Sequence, residues 1–308
     1  MNRRTFFITI GSKTLAAGVG AAAVPALLAA PERKLKIGYT CITWGTFPRG
    51  PEASATLEAA VKDISSLGFY AFETFPEVLE DWDSRGALSK LIDQYQLPLR
   101  SGYCGTNLTD PSKRKESVEK TIRLGKMIKK YGGTFGVIAP NSVKRDGYSF
   151  KEHRTNIIAG LNDHAMALTD LGLGTGLHQH TGTCVESREE VYAVLESVDT
   201  KYVKFGPDVG QLAKGGVDPV KVVRDFLPII RHVHLKDWNG GPHWAQYCPL
   251  GEGKVDVPGV LALLESAPEM KIIMVELDPS KDPPHTPRET ALISKDYLRA
   301  QGYEFRAG

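Results

Sequence analysis

Cysteine is scarce in this 308-residue chain, neither sign of charge is in clear excess, and no apolar run reaches the length of a membrane span. The four cysteines, Cys41, Cys104, Cys184 and Cys248, lie far apart and form no C-x-x-C pair. That argues against a zinc knuckle and against a disulfide-dense miniature domain. The formal net charge is +2, and the 38 basic residues fall to 35 once Arg3, Arg4 and Lys13 are set aside, against 36 acidic ones. A near-neutral body has no electrostatic footprint for DNA or RNA, so no nucleic-acid partner is expected. With 42% hydrophobic and 24% charged residues, the chain is also neither disordered nor collagen-like.

What is present begins with an address. Residues 1–30 carry Asn2-Arg3-Arg4-Thr5-Phe6-Phe7, then a mostly apolar, Ala-rich stretch from Leu15 to Ala30, and no acid. Small residues at Leu28-Ala29-Ala30 precede a charged start at Pro31-Glu32-Arg33-Lys34. A basic front, apolar middle and small-residue end form the layout of an export signal, and the paired arginines are of the twin-arginine type. Residues 1–30 are therefore expected to be a cleaved signal peptide and residues 31–308 the mature domain, exported to the periplasm or beyond. A retained anchor is the alternative, but the run is short for a span of ~20 residues and contains Gly18, Gly20 and Pro25. No stable membrane insertion is expected after cleavage. An exported chain with four cysteines invites two disulfides, and their pairing cannot be read from spacing.

From Lys34 onward, short β-branched or aromatic runs alternate with longer amphipathic ones. Eight strands are expected: 35–39, 70–73, 97–102, 135–139, 174–178, 202–205, 232–235 and 272–276. Leu57, Ala60, Val61, Ile64 and Leu67 fall on one face of a helix that Gly68 would end. Further helices are expected around Val118–Ile128, Ile157–Leu168 and Val260–Leu264, and after Asp218-Pro219, an N-cap followed by proline. Eight strand-then-helix units without a long linker imply a single (β/α)8 barrel, with an open doubly wound sheet as the rival. Gly172-x-Gly174-x-Gly176 precedes a strand rather than opening a helix, so it reads as a helix end and turn, not a nucleotide loop.

Chemistry in such barrels sits at the C-terminal strand ends. There the sequence places Glu73, His178-Gln179-His180, Asp208, His232-Val233-His234-Leu235-Lys236-Asp237 and Glu276-Leu277-Asp278. Alternation along a strand puts His178 with His180, and His232 with His234 and Lys236, on shared sides. Mixed His/Asp/Glu ligation on strands 5 to 8 suits one divalent ion, Mn²⁺ first, with Co²⁺, Fe²⁺ or Zn²⁺ as alternatives to it. The plainer alternative is a set of polar caps on loop backbone. Trp44, Trp238 and Trp244, expected in loops after strands 1 and 7, are candidates to stack on a sugar ring or to be ordinary loop tryptophans.

The run His232-Val233-His234-Leu235-Lys236-Asp237, then Pro249-Leu250-Gly251-Glu252-Gly253-Lys254-Val255-Asp256, then Val275-Glu276, resembles the xylose isomerase-like barrels of the sugar phosphate isomerase/epimerase group. His178-Gln179-His180-Thr181-Gly182-Thr183, Asp208-Val209-Gly210 and Glu276-x-Asp278-Pro279 look most like its inosose (2-keto-myo-inositol) dehydratase branch. The resemblance implies a metal held by His178, Asp208, His234 and Glu276. His178 stands where many members have Glu, and Gln211 where relatives often have His. It also implies α-proton abstraction with Glu276 as base, His180 or His178 as acid, and Glu73 and Lys236 binding substrate hydroxyls or a developing oxyanion. Replacing one of two opposed glutamates by imidazole fits β-elimination from a keto-sugar, keto-glycoside or inosose, with isomerisation or epimerisation as the alternative. Export and the lack of a phosphate loop favour an unphosphorylated carbohydrate. An abasic-site endonuclease would need more histidines and a basic groove, and a non-catalytic sugar-binding barrel is a further rival. An oligomer is compatible with all of these.

Overall fold

The computed structural model describes residues 33–307, so the expected export signal lies outside the described residues. Ten strands and eleven α-helices follow one another. β1 is Lys36–Thr40, β2 Phe72–Thr74, β3 Leu99–Gly105, β4 Phe135–Ala139, β5 Gly174–Leu177, β6 Lys204–Phe205 and β7 His234–Leu235. A short hairpin, β8 Asp237–Trp238 and β9 Tyr247–Cys248, precedes β10 Ile272–Val275. The helices are α1 Pro51–Ala55, α2 Leu57–Ser66, α3 Pro76–Ser84, α4 Leu88–Tyr95, α5 Arg114–Lys130 and α6 Phe150–Asp170, then α7 Arg188–Leu195, α8 Val209–Lys214, α9 Pro219–Phe226, α10 Val257–Ser266 and α11 Pro287–Ala300.

Eight parallel strands pair in the order β6-β5-β4-β3-β2-β1-β10-β7. The two edges then meet: Phe205 bridges Ile230 and Asp208 bridges His234, with Arg231 N–H donating to Phe205 O at 3.0 Å and His234 N–H to Pro207 O at 2.9 Å. The sheet is thus curled into the expected barrel, and its closing seam sets Asp208 directly across from His234. Strands of a barrel are covered by helices outside and by side chains inside, which is why Phe135–Ala139 reads as an unbroken buried run. α2 buries Leu57, Ala60, Val61 and Ile64, as its periodicity requires. Asp218 caps α9 by accepting from Val220 N and Lys221 N, with Pro219 in the first turn. Gly172 follows α6 at φ +79°, confirming a helix end rather than a nucleotide loop. Among the described residues, no helix is long and apolar enough to cross a membrane.

Part of the motif that carried the resemblance proves architectural. Asp237 is buried, and its two oxygens accept from the backbone N–H groups of Trp238, Gly251, Gly253 and Val255. One carboxylate so holds the 249–256 loop against the barrel. A Cβ at Gly253 would stand 2.0 Å from Asp237 Oδ1, so only glycine fits there.

Candidate metal centre

The four expected ligands converge at one end of the barrel: His178, Asp208 and Glu276 follow their strands, and His234 opens β7. Three donor atoms, from His178, Asp208 and His234, all lie within 4.8 Å of one another and are buried. Glu276 adds Oε2 at 3.0 Å from His234 Nδ1. Each of the three is held at its other atom. The Nδ1–H of His178 donates to Gly206 O at 3.0 Å, leaving Nε2 without a hydrogen-bond partner. Asp208 accepts at Oδ1 from Gln211 N–H at 2.9 Å, as the N-cap of α8, leaving Oδ2 with no hydrogen bond and the Lys236 ammonium 3.0 Å away. Nε2–H of His234 donates to Glu73 Oε1 at 2.6 Å, leaving Nδ1 without one. Buried polar atoms are normally satisfied, and here three orphans point at one place. Anchored imidazoles and a capped carboxylate with free lone pairs fit a divalent cation.

Electrostatics favour positive charge at the same point. Burial opposes charging His234, but Glu276 and Glu73 on either side outweigh it and lift the imidazole to about 9. Burial alone would raise the Glu73 carboxyl, yet His234 and His232 hold it well below the usual carboxylate range. His178 is pushed well below its ordinary value, by burial first and then by the neighbouring His234, His180 and Lys236. It therefore stays neutral, with a lone pair to offer.

A second trio, Glu73, His232 and His234, is also close. Metal bonds of 2.0–2.2 Å at a tetrahedral angle set donors about 3.3 Å apart. The 2.6 Å between Glu73 Oε1 and His234 Nε2 is too short for that, and it is a hydrogen-bond distance. This trio, together with Ser101 Oγ donating to Glu73, is the bonded support beneath the centre.

Two expected site residues are held by close neighbours, Glu73 while also bordering the small cavity. Glu73 was expected to bind substrate hydroxyls; its oxygens contact His234, His232 and Ser101, which also positions it to orient His234. Lys236 was expected to bind substrate or an oxyanion. It is fully buried, with Nζ 2.6 Å from Glu276 Oε1, 2.9 Å from Asp278 Oδ2 and 3.0 Å from Asp208 Oδ2. Burial would strip its proton, but these carboxylates hold its pKa well above the ordinary lysine value. It is a fixed cation that orients Glu276. The glycine of Asp208-Val209-Gly210 makes room for it: a Cβ at Gly210 would meet Lys236 Cγ at 2.7 Å.

His180 reaches the edge of the centre, its ring centroid 6.3 Å from that of His178. Gln211 Oε1 accepts from Thr181 N–H at 3.2 Å and Thr181 Oγ1 at 2.7 Å, so its NH2 end faces His180 Nε2 at 2.6 Å. His180 Nδ1 lies 2.8 Å from Thr181 O, which makes it the protonated nitrogen. Gln211, noted only as a departure from relatives, is the support of His180.

The tryptophan expectation fails. Trp44 donates to Asp63 and packs edge-on to Tyr39, while Trp238 and Trp244 pack with Tyr247 and Leu277. None borders the cavity beside the centre. That cavity, about 200 Å³, is lined by Phe47, Phe75, Tyr103, His180, Glu276 and Asp278 among others. Tyr103 stands edge-on to His178 at 5.2 Å and was not singled out from the sequence. Strand alternation would have found it, since Ser101 and Tyr103 share a side of β3. All four cysteines are free and buried, and none lines the cavities beside the centre.

The fold and the converging side chains define a class: parallel eight-stranded barrels with a candidate metal site at one end. The chain belongs to the xylose isomerase-like TIM barrel family, whose model matches residues 61–300. It is 25% identical over 296 residues to an inosose dehydratase of Clostridium botulinum, covering 86% of this chain and 97% of that one. Among solved structures it is similar to the probable 3-DHS dehydratase of Bacillus anthracis, at TM-score 0.69 and 13% identity, covering 86% of this chain and 99% of the other. It is also similar to the IolI protein, whose structure holds a zinc atom, at TM-score 0.68 and 15% identity, with 86% and 97% covered.

Proposed function

We propose that the protein is a divalent-metal-dependent lyase that removes an α-proton and eliminates a β-oxygen substituent from an unphosphorylated keto-sugar, keto-glycoside or inosose. The observation that carries this reading is the convergence of three buried donor atoms, none of them in a hydrogen bond, beside a cavity bordered by Glu276 and His180. The relatedness to an inosose dehydratase supports it. His178, Asp208, His234 and Glu276 would hold the ion, with Mn²⁺, Co²⁺, Fe²⁺ and Zn²⁺ all suited to these donors. When bound, such an ion supplies Lewis acidity toward a carbonyl oxygen, which acidifies the neighbouring C–H.

The protein's own residues do the rest. Glu276 faces the small cavity, oriented by Lys236, and takes the α-proton. His180 lies on the same cavity; as the imidazolium, whose second N–H the Gln211 amide cannot accept, it turns from Gln211 and gives that proton to the departing oxygen. The rim of Phe47, Phe75 and Tyr103 limits water at the reacting carbons. Epimerisation is the second reading, because Glu276 and His180 both border the cavity and two such groups can pass a proton between faces of one carbon. Export places the enzyme, on this proposal, in the periplasm, where unphosphorylated carbohydrate is the available class.

The test is to incubate Mn²⁺-loaded and chelator-stripped protein with a panel of keto-sugars and keto-inositols. Enone absorbance and a product lighter by the leaving group are expected from loaded protein alone. Full turnover after stripping sinks the metal requirement. Solvent deuterium in recovered sugar without an enone establishes epimerisation instead.

A further inference from the structure

The cavity beside the centre is small for a whole ligand: about 200 Å³, where ligand-enclosing cavities run from about 300 to 1,000 Å³. A second cavity of about 700 Å³ adjoins it, and the two share Phe75, Tyr103 and His180. The shared wall is a series of aromatic rings. Phe47 and Phe75 lie 5.5 Å apart, Phe75 and Tyr103 5.3 Å, and Tyr103 and His178 5.2 Å, so the aromatic surface runs from the outer cavity to a ligand of the metal centre. The outer cavity brings its own charges, but they are paired. Lys120 meets Glu77 at 3.0 Å and Lys113 meets Glu116 at 3.1 Å. Two ammoniums cancelled by two carboxylates leave no surplus for a phosphate or carboxylate, and the rest of the lining is hydroxyl, amide and apolar, including Thr106, Asn107, Ser142 and Thr183.

We propose that the substrate is a two-part, uncharged molecule: a keto-sugar whose β-carbon carries, through oxygen, a second sugar or an aryl group that occupies the 700 Å³ cavity. This rests on the elimination reading and narrows it to a glycoside-type leaving group instead of water. In the step, the α C–H bond breaks and its electron pair forms the C=C bond. The bond from the β-carbon to oxygen breaks, and its pair leaves with that oxygen. The α-proton goes to Glu276, and the departing oxygen takes one proton from the imidazolium form of His180, the residue that borders both cavities. The products are an unsaturated keto-sugar and a free alcohol or phenol, with no net oxidation or reduction. Aromatic walls suit either second moiety, since sugar C–H faces and aryl rings both stack on them.

The experiment pairs a monocyclic keto-sugar bearing a β-hydroxyl with the same compound carrying phenol or glucose on that oxygen. The Mn²⁺-loaded full-length protein is assayed on each for enone absorbance and for released phenol or glucose. The two-part substrate is expected to be turned over with kcat/KM at least tenfold higher. Gly105 borders only the outer cavity, and a Cβ there meets no atom within 4 Å, so Gly105→Trp, or Gly105→Phe as a smaller block, fills that cavity without disturbing packing. Either variant is expected to keep the wild-type thermal midpoint and metal content while the preference falls toward one through KM. Equal or faster elimination from the monocyclic compound by wild type, or a preference that survives both substitutions, overturns the substrate class alone. Elimination from neither compound overturns the reaction reading, and this inference with it.

Discussion

Glu73 Oε1 lies 2.6 Å from Nε2 of His234, 161 positions further along the chain. The contact decides which nitrogen of His234 carries a proton and therefore which one faces the other three ligands. Carboxylate–histidine–metal relays of this kind typically contribute 10–100-fold in metal affinity. Glu73→Gln retains an acceptor for His234 but loses the charge, so it should weaken divalent-ion binding by about tenfold, and Glu73→Ala by about a hundredfold. Competition against a fluorescent chelator measures this. Wild-type affinity in Glu73→Ala would show that His234 is oriented by something else.

Gln211 plays the corresponding part for His180. Its carbonyl end is pinned by Thr181, which forces its amide to face the ring. Gln211→Ala leaves the ligand set intact and frees the imidazole to rotate. The expected result is unchanged metal content by elemental analysis and kcat lower by about ten- to a hundredfold, the scale of cost for a misplaced catalytic group. An unaltered kcat would mean that His180 needs no support, or takes no part.

The barrel was legible because strands covered on both faces read as apolar runs, and because glycines such as Gly68, Gly132 and Gly172 mark where several helices end. The convergence of four candidate donors was legible by the same logic: His178, Asp208, His234 and Glu276 all fall within, or at most three residues after, an expected strand, where a barrel gathers its chemistry. What side chains bond to was not legible. Glu73 and His234 meet across the barrel interior, between β2 and β7, which no local pattern encodes. Lys236 shares a strand side with His234, as alternation requires, yet only the converging Asp208, Glu276 and Asp278 reveal it as an internal counter-charge. The tryptophans could not be decided between a sugar-stacking and an ordinary role because their loops follow no period: Trp244, Ala245 and Gln246 hold φ of 46°, 55° and 78°, a left-handed turn that tucks the indole beside Tyr247.

The cysteines give a test that is independent of the chemistry. All four are free and buried, and burial raises the thiols of Cys104, Cys184 and Cys248 well above their ordinary range. A buried thiol that resists ionisation is inert. Ellman's reagent should therefore titrate none in the native protein and all four after denaturation, and dithiothreitol should leave the thermal midpoint unchanged. A midpoint lowered by dithiothreitol would reveal a bridge that this arrangement does not contain.

His164 predicts how stability responds to acid. It is buried between α5 and α6, with Nδ1 2.8 Å from Thr121 Oγ1 and Nε2 3.2 Å from Ser117 Oγ. Burial, with help from the nearby Arg114, lowers its pKa to about 4. The unfolded chain binds a proton there near pH 6.5, while the folded chain refuses it until about 4. Because the folded value is depressed, the unfolded state holds more protons throughout that window, and stability falls as pH drops through it. Between pH 7 and pH 4.5 this one group should cost about 2 kcal/mol. His164→Gln should be less stable than wild type at pH 7, where its partners lose their fit, but should lose about 2 kcal/mol less over the same interval. Urea denaturation of both proteins at the two pH values measures the difference, and parallel losses would place the acid sensitivity in other groups.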